Sequence, residues 1–213
     1  MLKLVIFDMD GVILDSERVA NKAWFEVSEK YDLSLDMEKL KKIKGGTAKR
    51  TFEYFSELVG EEKAKKLMAE KKEIQNRIIK EENGIKLKTG VVELLKYIKE
   101  RGLKSMVATS TTKESAKRQL EETGVYKYFD NLIYGDEINE GKPSPEIFLK
   151  ACEKSKVSPE EAVVIEDSVL GAMASNKAKI KCLVVEDTMK FSDEENKLVF
   201  KKYNTLLDII GNL

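Results

Sequence analysis

Residues 2–12 of the chain read Leu2-Lys3-Leu4-Val5-Ile6-Phe7-Asp8-Met9-Asp10-Gly11-Val12. Five of the first six are apolar, and such a run is typical of a buried parallel strand. Open α/β sheets bind their ligands in the crevice at the carboxyl ends of the strands. We therefore expect Asp8 and Asp10 to lie at a binding crevice. The alternative is a hydrophilic turn, because Asp and Gly favour turns.

The composition indicates a soluble globular protein. Its 213 residues suffice for one large or two modest domains with a proper core. Lys plus Arg and Asp plus Glu number 38 each, so the net charge is zero and argues against a nucleic-acid or anionic-membrane partner. The sequence has no apolar run of membrane-spanning length and no signal-peptide pattern, and we expect a cytoplasmic protein. Cys152 and Cys182 lie far apart, as expected for buried thiols in a reducing compartment.

The chain contains no histidine. This excludes Ser-His-Asp hydrolysis, Cys-His catalysis and histidine-ligated zinc. Acid-base chemistry near neutral pH must then use carboxylates or lysines, and a hard cation with oxygen ligands becomes the natural metal.

A long helical region follows the first strand. Between Asp15 and about Asn83 the apolar residues recur at helical spacing, and nothing resembles a strand. A basic, glycine-containing break at residues 43–47 separates two of the helical runs. The periodicity predicts that these side chains form a core, and its members are Ala20, Ala23, Trp24, Val27, Tyr31, Phe52, Phe55, Val59, Leu67, Ile74 and Ile78.

Strands and helices alternate from about residue 89 onwards. Short apolar runs predict strands over 105–108, 131–134, 162–165 and 182–185. Helix stops are expected at Gly102 and Gly124. Four helix starts are predicted. Thr89 would cap the first helix, and a capping box of Thr111 with Glu114 would begin the second. Ser144-Pro145 and Ser158-Pro159 would each supply a cap and a first-turn proline, and Glu161 would be the capping-box glutamate of the last helix.

This alternation predicts an α/β fold with a doubly wound parallel sheet and an all-helical module inserted after the first strand. The α/β core would comprise residues 1–14 and 84–213. The insertion, residues 15–83, would form a cap over the strand ends.

Polar side chains follow three of the predicted strands and could converge on one crevice. These are Asp8 and Asp10, Ser110, and Glu166 with Asp167, while Lys142 precedes a helix that faces the same rim. Such a set suits phosphoryl transfer.

A carboxylate that attacks a phosphate meets about 4 kcal/mol of repulsion per charge pair at 4 Å and an effective dielectric near 20. Mg²⁺ on Asp8, Asp167 and a backbone carbonyl, together with the Lys142 ammonium, would offset that repulsion. Ser110 and its neighbouring backbone N–H groups at a helix start would hold the phosphate. Asp10 is then left as general acid and base.

Four ordered motifs resemble those of the haloacid dehalogenase superfamily, and together they span nearly the whole chain. They are Phe7-Asp8-Met9-Asp10-Gly11-Val12, Ala108-Thr109-Ser110, Gly141-Lys142-Pro143 and Ile165-Glu166-Asp167-Ser168.

The resemblance implies a role for each motif residue. Asp8 would form an aspartyl-phosphate, and Asp10 would protonate the leaving group and then activate water. Ser110 and Lys142, with Thr111 beside Ser110, would hold the phosphate. The implied ligands of Mg²⁺ are Asp8, the Asp10 carbonyl and Asp167, with Glu166 in support.

Asp10 argues for phosphate esters, since the dehalogenases and phosphonatases of this superfamily lack an acid at that position. The chain is most similar to the β-phosphoglucomutases and their sugar-phosphate phosphatase relatives. In that subgroup the loop matching Lys44-Gly45-Gly46-Thr47 selects the substrate. An ordinary helix-helix turn is the alternative reading of this loop.

Two departures favour a phosphatase over a mutase. The mutases resemble this chain but carry His where Ala20 stands and a phosphate-anchoring Arg where Ala48 stands, although Lys49 or Arg50 could substitute. We therefore expect hydrolysis of a small phosphate ester, such as a sugar phosphate, by a monomer. A mutase is the first alternative. A phospho-receiver domain and a non-catalytic binding protein are the alternatives from other classes.

Overall fold

The computed structural model describes residues 1–188 and 190–213. Its centre is a sheet of six parallel strands, namely β1 (Leu4–Phe7), β2 (Lys104–Ala108), β3 (Asn131–Ile133), β4 (Ala162–Glu166), β5 (Lys181–Val185) and β6 (Lys201–Tyr203). Their order across the sheet is β3-β2-β1-β4-β5-β6. The order reverses at β1, which is where open α/β sheets bind ligands. The predicted doubly wound parallel sheet is confirmed.

Helices of two kinds surround the sheet. Four fall between β1 and β2, namely α1 (Ser16–Lys30), α2 (Met37–Lys41), α3 (Ala48–Val59) and α4 (Glu61–Glu81). The remainder connect or follow later strands, namely α5 (Val91–Glu100), α6 (Lys113–Glu122), α7 (Glu146–Ser155), α8 (Val169–Lys177) and α9 (Asp193–Asn196). Within the described residues, no helix is long and apolar enough to span a membrane.

The two faces of the sheet bury alternate side chains of β1. Val5 and Phe7 pack with apolar residues of α5 and α6, whereas Leu4 and Ile6 pack with those of α7. All four side chains are fully buried. Because helices cover both faces, the central strand is apolar throughout its length.

Residues 16–81 build a separate apolar core. Within it α1 and α3 pack on α4. The rings of Trp24 and Phe55 stack with their centroids 4.7 Å apart, next to Val27, Leu40 and Leu67. All of residues 16–81 are described and none is in a strand, as the helical spacing predicted.

The two crossings between the sheet and this helical segment are paired with each other. The N–H of Asp15 donates to the carbonyl of Lys86, and the N–H of Lys88 donates to that of Ile13, both at 2.9 Å. Leu14 forms an antiparallel bridge with Leu87. The outgoing and returning chains are therefore bonded together along the crossing.

Several predicted helix starts are wrong. The N-cap of α5 is Gly90, with φ 91°, in place of Thr89. Thr111 does not cap α6, whose N-cap is Thr112, because the Thr111 hydroxyl donates to Asp10 instead. The predicted capping box with Glu114 is therefore absent.

Two proline-containing starts also differ. Pro145 is the N-cap of α7 and not its first helical residue. Ser158-Pro159 begins a single 3₁₀ turn, Pro159–Glu161, that leads directly into β4, and the Ser158 side chain does not cap it. Gly102 and Gly124 do follow the ends of α5 and α6 with positive φ, as predicted.

Candidate active site

The strand register brings the first, second and fourth motifs to one edge of the sheet. Phe7 pairs with Val107 on one side and with Ile165 on the other. The residues that follow these positions therefore emerge side by side, and the N–H of Asp8 donates to the Ile165 carbonyl at 2.9 Å. This edge is where the sequence predicted a crevice.

Lys142 joins two carboxylates at the centre of the site. Its Nζ lies 2.5 Å from Asp8 Oδ1 and 2.6 Å from Glu166 Oε1. The Lys142 side chain is fully buried, as are those of its two partners to within a few per cent. Lys142 enters from the loop before α7, so the third motif completes a cluster that the strand ends begin.

The Glu166 carboxylate is fixed by further hydrogen bonds. Its Oε2 accepts the N–H groups of Asp167 and Ser168 at 3.0 Å and the Ser168 hydroxyl at 2.9 Å. α8 packs so closely that a Cβ on Gly171 would lie 1.8 Å from Glu166 Oε1. Any side chain at this helical position would therefore displace the Glu166 carboxylate or α8.

Three buried carboxylates can serve a metal ion. Asp8, Glu166 and Asp167 each place an oxygen within 4.8 Å of the others. Asp167 Oδ2 is buried and accepts no well-aligned hydrogen bond from the described residues, although the Lys44 ammonium lies 2.7 Å away. Gly11, with φ 82°, leaves room for it, since a Cβ there would lie 1.9 Å from this oxygen. Hard oxygen donors with unused acceptor capacity fit Mg²⁺.

The pKa shifts of the site residues also favour a bound divalent cation. Burial raises the pKa of Asp8 well above its ordinary value, and although Lys142 opposes this, the charges of Glu166 and Asp167 reinforce it. Burial raises the pKa of Asp167 to about 8 against the opposing charge of Lys44. Burial alone would lower the pKa of Lys142, but its two carboxylate partners raise it on balance. A divalent cation would relieve the repulsion among these acids.

Asp10 stands apart from the lysine-bridged cluster. Its Oδ1 accepts the Ser16 hydroxyl at 2.6 Å, and its Oδ2 accepts the Thr111 hydroxyl at 2.7 Å. Both donors are neutral, and Asp10 lines a cavity beside the cluster. The Asp10 carboxylate is thus held in one orientation at the wall of this cavity by two hydroxyl donors.

This cavity has a volume of about 400 Å³ and lies between the sheet edge and the helical segment. Asp8, Asp10, Ser110 and Thr111 line it from the sheet side. Of the predicted substrate loop, Lys44, Gly45 and Gly46 line it from the helical side.

Thr47 is placed beside the cavity and does not line it. Its Oγ1 accepts the N–H of Arg50 at 3.3 Å and so caps α3. Its methyl group contacts the core loop, where a Cβ on Gly141 would lie 2.3 Å from Thr47 Cγ2. In this structure Thr47 therefore caps α3 and packs against the loop at Gly141, and its predicted contact with substrate stays a prediction.

The predicted substrate loop contacts the sheet edge directly. The Ser110 hydroxyl donates to the Gly45 carbonyl at 2.8 Å. The Lys44 ammonium is buried between Asp167 and Asp187, at 2.7 and 3.9 Å. Burial alone would lower the pKa of Lys44, but Asp167 and Glu17 raise it on balance.

Four charged residues of the cavity were not predicted from the sequence, namely Glu17 of α1, Lys71 and Lys72 of α4, and Arg118 of α6. Lys71 did carry a signal, because it interrupts the apolar stripe Leu67, Ile74 and Ile78 at a stripe position. Glu17 carried none, since a glutamate in the first turn of a helix is ordinary.

Comparisons with known proteins agree with this geometry. A family model described as haloacid dehalogenase-like hydrolase matches residues 5–185. The phosphorylated carbohydrates phosphatase of Thermotoga maritima is 33% identical over 185 residues, covering 84% of this chain and 83% of its own. The β-phosphoglucomutase of Bacillus subtilis is 29% identical over 184 residues, covering 83% and 80%.

Among solved structures, a hydrolase from Pseudomonas syringae superposes with a TM-score of 0.83. The match covers 98% of this chain and 96% of that one at 24% identity. This similarity supports the fold.

Proposed function

The chain belongs to the haloacid dehalogenase-like hydrolases, and on that basis we propose that it is a Mg²⁺-dependent phosphatase of a phosphorylated sugar or similar small metabolite. The observation that carries the proposal is the buried Lys142 between Asp8 and Glu166, with Asp167 completing an acidic set beside a cavity. The Thermotoga maritima relative, a phosphatase of phosphorylated carbohydrates, supports the substrate class.

Asp8 is the proposed nucleophile. One of its carboxylate oxygens attacks phosphorus, and the bond from phosphorus to the ester oxygen breaks, which leaves an aspartyl-phosphate. Lys142 lies 2.5 Å from Asp8 and carries the positive charge that an approaching phosphate requires. Mg²⁺ held by Asp8, Asp167 and the Asp10 carbonyl, with Glu166 in support, would supply further charge neutralisation when bound.

Asp10 is the proposed general acid and base. It gives a proton to the departing ester oxygen and then takes one from the water that attacks the aspartyl-phosphate, which releases inorganic phosphate and restores Asp8. Hydrogen bonds from Ser16 and Thr111 hold the carboxyl group in place for both steps. Such proton transfer contributes typically ~10²- to 10⁴-fold to the rate.

The helical segment is proposed to act as a cap, with residues 15–83 covering a core of residues 1–14 and 84–213. Closure excludes water from the cavity and selects the substrate. Ser110 would exchange its bond to the Gly45 carbonyl for a bond to the phosphate. Lys44 and the two loop glycines would then contact the organic part.

The cavity favours hydrolysis over an intramolecular phosphate transfer. Ala20 and Ala48 both line it, so the histidine and arginine that the mutases carry at these positions are absent from its wall. A mutase would have to hold a second phosphate. Because the β-phosphoglucomutase of Bacillus subtilis is a relative of this chain, a mutase is the second candidate function.

The first experiment is phosphate release from glucose 6-phosphate, ribose 5-phosphate and β-glucose 1-phosphate, with Mg²⁺ and with EDTA. We expect Mg²⁺-dependent release that falls below about one thousandth in Asp8→Asn. Asp32→Asn, an exposed aspartate in the left-handed region that asparagine also tolerates, is the control.

Near-normal turnover by Asp8→Asn would overturn the assignment of the nucleophile. Conversion of β-glucose 1-phosphate to glucose 6-phosphate with little free phosphate would identify a mutase. A stable aspartyl-phosphate without turnover would identify a receiver-like protein.

A further inference from the structure

Lys44, in the loop between α2 and α3, carries the ammonium that pairs with Asp167 among the described residues. Its Nζ lies 2.7 Å from Asp167 Oδ2, and the two side chains are 3% and 1% exposed. Asp167 Oδ2 accepts no well-aligned hydrogen bond from the described residues, so this ammonium is what compensates its charge. A cation carried by the helical segment therefore occupies one of the three carboxylates that can serve a metal ion.

The backbone of the same loop contacts the proposed phosphate anchor. The Ser110 hydroxyl donates to the Gly45 carbonyl at 2.8 Å. Gly45 has φ 77°, and a Cβ on it would lie 2.2 Å from Ser168 Oγ, so the loop packs directly on the residue that follows Asp167. Lys44 and Gly45 together thus engage a carboxylate of the acidic cluster and the hydroxyl that is proposed to hold phosphate.

The second carboxylate beside Lys44 has a cation of its own. Asp187, which follows β5, lies 3.9 Å from Lys44 Nζ but 2.5 Å from the ammonium of Lys88. If Lys44 moved away, Asp187 would stay paired, whereas Asp167 would lose its compensating charge. The negative charge that Lys44 balances is therefore mainly that of Asp167.

We propose that Lys44 is a built-in competitor of Mg²⁺. Its ammonium occupies Asp167, and Mg²⁺ displaces it and thereby releases the loop before substrate binds. The Mg²⁺ site at Asp8 and Asp167 is taken from the proposed function, on which this inference rests. A divalent and a monovalent cation on one buried carboxylate oxygen repel each other, because little water screens them. Mg²⁺ also requires near-octahedral oxygen coordination, which an ammonium on the same oxygen obstructs.

A permanent structural ion pair between Lys44 and Asp167 is the alternative. It would hold the loop on the sheet edge with or without Mg²⁺, and the Gly45 carbonyl would then keep the Ser110 hydroxyl from the phosphate. Because Lys44 and Gly45 are adjacent in the chain, a movement that frees Ser110 also withdraws the ammonium. Displacement by Mg²⁺ therefore couples metal binding to the release of the phosphate anchor.

Amine labelling of the full chain reports the displacement directly. The protein is treated with a water-soluble N-hydroxysuccinimide ester near neutral pH and without substrate, in EDTA or in Mg²⁺ at matched ionic strength, and labelled lysines are quantified by mass spectrometry. We expect Mg²⁺ to raise the labelling rate of Lys44 about tenfold or more, because the rate follows the population in which this side chain is released. The exposed Lys197 normalises the rates, and Lys142, buried between Asp8 and Glu166, should stay protected. Unchanged protection of Lys44 at saturating Mg²⁺ would overturn the proposal.

Calorimetric titration with Mg²⁺ alone tests the competition in two variants. Lys44→Met removes the competing ammonium. Gly45→Ala keeps the ammonium but sets a Cβ against Ser168, which should lift the loop. Both should bind Mg²⁺ about 10- to 100-fold more tightly, since a competitor bound in about 90 to 99% of molecules lowers the apparent affinity by that factor.

Lys88→Met is the matched control, because it removes a neighbouring ammonium that pairs with Asp187 and not with Asp167. Its Mg²⁺ affinity should stay within about threefold of that of the intact protein. Equal tightening in Lys88→Met and Lys44→Met, with none in Gly45→Ala, would reveal a general effect of charge and refute displacement.

The same measurements separate this inference from the proposed function. Mg²⁺-dependent phosphate release with Lys44 protected throughout would refute the inference alone. Labelling of Lys44 that rises with Mg²⁺, in a protein that hydrolyses no phosphate ester, would support the inference and refute the phosphatase assignment. Calorimetry that detects no Mg²⁺ binding in any of these proteins would refute both.

Discussion

Replacing Lys142 by methionine should lower the free energy of unfolding by about 2–4 kcal/mol at pH 7 in the absence of Mg²⁺. Lys142 lies 2.5 Å from Asp8 and 2.6 Å from Glu166, fully enclosed. At an effective dielectric of about 20, each attraction amounts to about 6 kcal/mol before desolvation is subtracted. The variant keeps the volume of the side chain but leaves two buried carboxylates without their cation.

Proton uptake limits the loss. A carboxyl that cannot remain charged takes up a proton, at about 1.4 kcal/mol per pH unit above its ordinary pKa. For Asp8 that pKa is 3.8, so protonating this one carboxyl costs at most about 4 kcal/mol at pH 7 and less than about 2 kcal/mol at pH 5. The burial that already raises the pKa of Asp8 in the intact protein reduces the loss further.

The sign follows from proton linkage. Without Lys142 the folded-state pKa of Asp8 rises further above its unfolded value, so the folded variant holds more protons than the unfolded chain. The contribution of the protonated Asp8 carboxyl to the variant's stability is fully present below about pH 4, and it is lost as pH rises through the raised pKa. The difference between the intact protein and the variant should therefore grow from pH 5 to pH 7.

Urea unfolding followed by circular dichroism at pH 5 and pH 7, in EDTA, measures this difference. Lys197→Met is the control, because Lys197 pairs with Glu194 at 2.7 Å on the surface and should contribute less than about 1 kcal/mol. A loss in Lys142→Met no larger than in the control, or equal at both pH values, would refute the reasoning.

Two other substitutions test different contacts. In an ordinary helix a Gly→Ala substitution is stabilising. Gly171→Ala should instead lower the free energy of unfolding by about 1–3 kcal/mol in thermal or urea melts, because its Cβ would meet the fixed Glu166 carboxylate. A stabilised variant would contradict this packing. Glu146→Gln should destabilise the protein at pH 7 but not near pH 2. Glu146 accepts hydrogen bonds from Lys150, Asn139 and Glu140, and these lower its pKa to about 2. A carboxylate with a lowered pKa stabilises the fold above pH 4.5, and that contribution is lost as pH falls through the lowered pKa. A difference between wild type and Glu146→Gln that persists undiminished at pH 2 would show that the ionised carboxylate is not its source.

Much of the fold followed from apolar periodicity, because the buried strands and the helix stripes record which side chains leave water. β6 was not predicted. It lies at an edge of the sheet and pairs only with β5, and its sequence Lys201-Lys202-Tyr203 has no apolar run. An edge strand of this kind forms because it hydrogen-bonds to β5, and its own sequence shows no strand pattern.

The site could be predicted where parallel strands end, since those ends meet at one edge. Local spacing failed for Thr111, which looked like a helix cap but bonds to Asp10, 101 residues away in sequence. Glu17 had no local signature, and the break in the apolar stripe at Lys71 does not reveal how the helical segment faces the sheet.

The paired crossings at residues 13–15 and 86–88 restrict how this protein can open. Two separate tethers would let the helical segment slide, tilt and twist independently of the sheet. Because Asp15 bonds to Lys86 and Ile13 to Lys88, both tethers must bend as one ribbon. For the proposed cap we therefore expect opening by a swing about the ribbon and not by sliding along the sheet. Access to the cavity would then depend on one hinge angle.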